Sequence, residues 1–315
     1  MIDAKKRTRI LIFITLAYGL SWAVGLVVYL RGGLVSSREI APGITEAFLL
    51  ISFGYMLGPA FANVLTRLLT GEGWRDMGLR PNLRRQARWW LLAWLGTAAL
   101  LLAGLAVYFL AFPGNFDPNF SLVAELLAEV EASTGRPAPF SPAVFLALQF
   151  VQALLLAPVL NLVNIFGEEF GWRAYLQPRL MPLGFRKAML WMGLIWGIWH
   201  WPLLAMGHAY GLTYPGAPWL GMLVFTWFIF VTGTFFGWLA IRGGSLWPAV
   251  IAHATLNGLA PAALFLVQGS PNPLLGPSAA GLVAGIALSV VALWLLLRAP
   301  APRATSVLPS PTAAS

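Results

Sequence analysis

Residues 142–173 read PAVFLALQFVQALLLAPVLNLVNIFGEEFGWR: 26 residues without a charge, then Glu168, Glu169 and Arg173. About 20 apolar residues make a helix long enough to cross the hydrocarbon core of a bilayer. Lipid cannot satisfy free backbone groups, so such a run folds as a helix, and a barrel would instead need short alternating segments. Besides the run at 142–166, seven more occur near 10–30, 47–70, 89–112, 188–206, 218–240, 246–267 and 277–298. The sequence therefore predicts an all-α polytopic membrane protein of about eight transmembrane helices. It reads as one membrane-embedded domain over 1–298, with its motif-bearing core at 142–267. The stretch 299–315 is rich in Pro, Ala, Ser and Thr and is expected to be a disordered cytoplasmic tail.

Composition agrees. The chain is 59% hydrophobic and 10% charged, where soluble domains carry about 25% charged residues. There is no cysteine, which excludes disulfides, thiol catalysis and thiolate metal ligands. The net charge of +9 is spread between apolar runs rather than gathered on a patch, so it is a topology signal and no nucleic acid is implied. With the N-terminus inside, seventeen of the 20 basic residues fall on the cytoplasmic side, and Arg31, Arg38 and Arg136 fall outside. Both termini are then cytoplasmic. The first run is too long for a signal-peptide core and is read as a retained span. The loop from Trp74 to Arg88 is Arg-rich: it can lie against anionic headgroups, but the favoured reading is a topology determinant and nothing more. In the outside loop 113–141, Leu122, Val123, Leu126, Leu127 and Val130 recur at helical spacing, predicting a short interfacial helix. Arg far outnumbers Lys, which points to a GC-rich genome and a prokaryotic plasma membrane.

Of eleven acidic residues, nine precede residue 132 and the last two are Glu168 and Glu169. His200 and His253 fall in two later spans, and His208 falls just beyond one, as a surface-loop residue. Ionisable groups at membrane depth cost a few kcal/mol each and are functional by default. Glu169 and Arg173 are i,i+4 with the acid first, the favourable order for an ion pair. Asn161, Asn164 and Glu168 make a polar stripe at i, i+3, i+7. Trp196 with His200, and His253 with Asn257, are i,i+4 pairs. Pro158 frees a carbonyl in its helix.

One carboxylate and two imidazoles leave two routes open. Glu168, His200 and His253 can hold Zn²⁺ with a free position for water. Alternatively, Glu168 and His200 activate water directly while His253 and Asn257 stabilise an oxyanion. Both hydrolyse a carbonyl compound, most naturally a peptide bond. Depth is the difficulty: a span ending near Glu168 puts that residue at the membrane edge, whereas His200 lies about 21 Å from Arg186 at 1.5 Å per residue.

The ordered set Glu-Glu-x-x-x-Arg, aromatic-x-x-x-His and His-x-x-x-Asn resembles the CPBP family, the type II CAAX prenyl endopeptidases and abortive-infection proteins. The resemblance covers roughly 142–260. It implies an intramembrane endopeptidase acting near the cytoplasmic side, with Glu168 activating water. Glu169 and Arg173 would be its supporting pair, His200 the first catalytic histidine, and His253 with Asn257 the third motif. Trp196 stands where Phe is commoner in that family, a departure bearing on substrate fit. The implied partners are membrane lipids and a peptide or protein substrate, prenylated in the family's precedent. A proton-coupled transporter uses the same residue types, but no inverted repeat is visible. A catalytically inactive membrane scaffold or immunity protein is the third reading.

Overall fold

The computed structural model describes residues 2–81 and 83–299; the predicted tail lies, from Pro300 onward, outside the described residues. Among the described residues the regular structure is helical apart from a hairpin of β1 (Glu39–Ala41) and β2 (Ile44–Thr45) and a single bridge between Phe116 and Val267. In chain order the helices are α1 (Ala4–Leu30), α2 (Glu46–Thr70), α3 (Gln86–Ala111), α4 (Ser121–Thr134), α5 (Pro142–Leu160), α6 (Leu162–Gly171), α7 (Phe185–Trp199), α8 (Trp201–Ala205), α9 (Trp219–Gly243), α10 (Trp247–Leu259) and α11 (Ile286–Arg298). Among the described residues, five helical stretches are long and apolar enough to cross a membrane: α1, α2, α3, α9, and α10 with its 3₁₀ extension to Leu266. The chain is a multi-pass membrane protein.

The other three predicted spans are interrupted. The run at 277–298 becomes helix only from Ile286. Before it, Gly281 packs on the backbone of Gly276, and the Ala284 carbonyl presses so closely on Gly104 of α3 that no side chain fits there. The run at 188–206 ends at Trp199 and resumes at Trp201, leaving His200 at the joint; Pro202 has no N–H to continue the ladder. The run at 142–166 breaks at Asn161 and restarts. The carbonyl that Pro158 deprives of its N–H is that of Leu154, and it accepts instead from Trp94 Nε1 at 2.8 Å.

The restarted helix does not end near Glu168. It continues through a π-helical turn, Trp172–Leu176, to Leu180, because Trp172, Ala174, Tyr175 and Leu176 are all buried. This resolves the depth difficulty. Glu168 stands twelve residues from Leu180, roughly 18 Å, and His200 fifteen residues from Phe185, roughly 22 Å. Met181–Gly184 joins those two ends, so both distances start from one level.

Glycine pairs at i,i+4 bring the site-bearing helices together, the small-xxx-small device of membrane packing. Gly167 and Gly171 of α6 lie against Leu57 and Pro59 of α2. Gly193 and Gly197 of α7 lie against α9, where a Cβ on Gly193 would come 2.7 Å from the Phe230 Cα. The most enclosed span is α9, with α7, α10 and α11 packed around it.

The loop after α2 is tied to the helices around it, while its Arg75 and Arg80 stay exposed. Arg67, counted from sequence among the solvent-side cations, is buried. It meets Asn63 Oδ1 at 2.7 Å and Asp76 at 2.7 Å. Glu72 accepts from Tyr175 at 3.1 Å, pairs with Arg9 at 2.8 Å and pairs also with Arg179. Leu79 O takes the Trp247 indole at 2.7 Å, covering the start of α10. Helix α4 is present where expected, with Val123 buried and Leu122, Leu126 and Val130 exposed.

Candidate active site

The two acids sit mid-helix and are buried, at 3% exposure for Glu168 and 0% for Glu169, which removes the reading of a solvated helix end. Consecutive residues on a helix point about 100° apart, and the pair divides its work accordingly. Glu168 faces α7, where Trp196 Nε1–H donates to its Oε2 at 3.0 Å. Glu169 faces α10, where His253 Nδ1 meets its Oε1 at 2.9 Å. The other oxygen of Glu169 lies 3.1 Å from Arg173 Nε. That pair is oriented off the hydrogen-bond line, and both atoms lack a hydrogen-bond partner.

Arg173 is buried and lies inside the π-helical turn, a backbone form that recurs at functional sites. Its guanidinium stacks over the Trp196 ring at 4.5 Å, and Nη2 reaches the Gly233 carbonyl at 3.4 Å. Four residues on, Gln177 Nε2 donates to the Gly237 carbonyl at 3.0 Å. One face of the helix thus carries Glu169, Arg173 and Gln177 at i, i+4, i+8.

Tautomers follow from the partners. His200 Nδ1 lies 2.8 Å from the Trp196 carbonyl; a carbonyl only accepts, so Nδ1 carries the proton and Nε2 presents a lone pair. His253 likewise directs Nδ1–H at a carboxylate, leaving Nε2 free to accept, or to donate when the ring is protonated. The His253 ring packs on Trp196 at 5.3 Å edge-on and on Phe236 at 5.5 Å stacked. His200 is walled by Trp199 at 4.7 Å and Phe225 at 5.0 Å.

Trp196 therefore touches four members of the set, Glu168 through its indole, His200 through its carbonyl, and His253 and Arg173 through its ring, while Glu169 joins through His253 and Arg173. Read from sequence as a variation in substrate fit, it is the hub, and the indole N–H is something Phe lacks. Gln177 was also missed, although its i+4 step from Arg173 is legible. Asn257 stands one turn beyond His253 but is exposed, outside the buried cluster. Asn164 Oδ1 is buried without a partner. His208 is exposed in its turn, as expected of a loop residue, and rests on the Phe225 ring at 5.7 Å.

A three-ligand zinc site needs its donors about 2 Å from one point. Among the described residues no three His, Asp or Glu side chains are gathered in that way, and the indole already occupies Glu168 Oε2. Glu168, His200 and His253 as arranged here do not fit a metal's ligand set.

Fold and site together define a multi-pass helical membrane protein with a buried acid–imidazole centre. Residues 150–259 match the family model described as Type II CAAX prenyl endopeptidase Rce1-like. That is about a third of the chain, yet it contains every residue of the candidate site. The match bears out the family resemblance carried by the motifs. No curated protein matches the chain.

Proposed function

We propose that the protein is an intramembrane endopeptidase of the CAAX-protease type, hydrolysing a peptide bond with water activated by Glu168. The observation that carries this reading is one connected, buried set: Glu168 on the Trp196 indole, His200 on its carbonyl, His253 on its ring, and Glu169 on His253. Such a cluster is costly to keep at membrane depth, and each member is oriented by a second group, as catalytic bases are.

With Glu168 Oε2 fixed by the indole, Oε1 takes a water whose other neighbour is His200 Nε2. The water gives its proton to Glu168 as its oxygen adds to the scissile carbonyl. The oxyanion is met by Nε2–H of a protonated His253, whose charge Glu169 balances, and by the Asn257 amide at the open edge. Glu168 then passes the proton to the leaving amine as the C–N bond breaks. Arg173 holds Glu169, and the family's printed description makes a peptide with a prenylated C-terminal end the first substrate to try.

Purified chain in liposomes is assayed with membrane-anchored peptides, with and without a prenylated C-terminus. Glu168→Gln keeps an acceptor for Trp196 but loses the base, and turnover should fall by about 10²-fold or more. Wild-type turnover by Glu168→Gln would discard the scheme. Metal bound by active preparations and lost in His253→Ala would add an ion to it.

A further inference from the structure

Beside the acid–imidazole centre lies a small cavity of about 20 Å³, lined by Met77, Gly78, Gln177, Ser245 and Leu246 and closed on its inner side by Arg173. That volume admits one water molecule, provided it has polar partners. Two such partners line it: Arg173 Nη1 and Gln177 Oε1 are both buried and unpaired. Further inward, Arg173 Nε and Glu169 Oε2 face each other across their ion pair at 3.1 Å, off the hydrogen-bond line and each with room for a further partner. Two buried atoms with no partner at all, on adjacent turns of one helix face, are a costly arrangement in a dry interior. The other end of the Gln177 amide is paired, Nε2 with the Gly237 carbonyl.

We propose that this face is a hydrated path by which water reaches the carboxylates from the 72–81 loop, and that Gln177 is its positioning residue. The path rests on the peptidase reading only for its purpose. Gln177 has two ends with separate duties: Nε2 anchors α9, and Oε1 accepts from the water in the cavity. Water passes Arg173 along its unpaired Nη1 to the Glu169–Arg173 pair, beside the base Glu168.

Two experiments separate the duties. Gln177→Met removes both ends, whereas Gln177→Glu keeps an acceptor toward the cavity and loses the donor to Gly237. The path predicts a kcat about tenfold lower for Gln177→Met at unchanged KM, with Gln177→Glu close to wild type. Equal loss in both variants assigns Gln177 a purely structural role and overturns the proposal. The chain has no cysteine, so Ser245→Cys introduces a single thiol at a residue only 2% exposed. Ag⁺, close to water in size, should bind that thiol one per chain above the cysteine-free parent. It should not bind Ala62→Cys, at 0% exposure and away from the cavity. An unlabelled Ser245→Cys in an active preparation overturns the path alone. Labelling in a chain that cleaves no peptide leaves the path standing and sinks the peptidase reading.

Discussion

Glu169 and Arg173 are both fully removed from solvent at their side chains, and breaking that pair has a calculable consequence. Glu169→Gln preserves shape and still offers an oxygen to His253 Nδ1–H, so it isolates the charge. Arg173 is then left with the Gly233 carbonyl at 3.4 Å and the Trp196 face at 4.5 Å. A desolvated cation–π contact is worth about 2 kcal/mol, less than the several kcal/mol that burying an unpaired ion costs. The expected loss of stability is about 3 kcal/mol, the lower end for a buried pair deprived of one partner. Arg173→Met should cost somewhat less, because Glu169 keeps its hydrogen bond from His253 Nδ1 at 2.9 Å. The double variant should cost no more than either single change, since an apolar replacement of both partners is often neutral. Denaturant unfolding in detergent, followed by fluorescence of the 15 tryptophans, gives all four corners of the cycle. Additivity within about 0.5 kcal/mol would mean that the two residues are not coupled, and the assignment of Arg173 as Glu169's partner would fall.

Trp196→Phe keeps the ring against His253 and Arg173 and leaves the backbone carbonyl that orients His200, so it removes little but the donor to Glu168. A hydrogen bond to a charged group contributes about 1.5–3 kcal/mol, so kcat should drop roughly tenfold or more and the melting temperature should fall by several degrees; undiminished kcat would show that the indole does not hold the base. Outside the spans, Asp117 accepts from the backbone N–H of Ser121 at 2.6 Å and Asn119 at 2.9 Å. The Ser121 bond foremost holds its carboxyl below the ordinary value of 3.8. A depressed folded-state value means the contribution is complete above the ordinary carboxylate range and disappears as pH falls through the lowered one. Hydrogen-exchange protection at Asn119 and Ser121 should therefore decline only in strong acid, and Asp117→Asn should abolish the dependence.

The class of fold was legible because hydrophobic length needs no tertiary information, and the chemistry was legible because ionisable residues are scarce in these runs. What could not be read was where helices break. Asn161, His200 and the 277–285 stretch interrupt apolar runs whose composition does not change, and the interruption depends on partners elsewhere. The Leu154 carbonyl is tolerated without its own N–H only because Trp94, 60 residues away, supplies another. The end of the acid-bearing helix was misplaced for the converse reason: Glu168, Glu169 and Arg173 look like a solvated terminus until their buried partners on α7, α9 and α10 are known. Arg67 shows the same limit, a cation that counts toward topology in sequence and is buried in a charge network in space.

The glycine pairs explain how polar side chains of one helix reach the backbone of the next at this centre. Arg173 and Gln177 meet the carbonyls of Gly233 and Gly237, themselves an i,i+4 pair, so the acceptors on α9 repeat at the same spacing as the donors on the acid-bearing helix. A Cβ on Gly237 would lie 2.9 Å from Gln177 Oε1 and one on Gly233 3.7 Å from Arg173 Nη2. The register of the polar ladder is therefore set by the absence of side chains opposite it. Meanwhile Gly193 and Gly197 draw α7 onto the same helix, bringing Trp196 between Arg173 and Glu168. Close backbone approach converts three weak sequence motifs on separate helices into one buried constellation, and that conversion is what composition and spacing alone do not express.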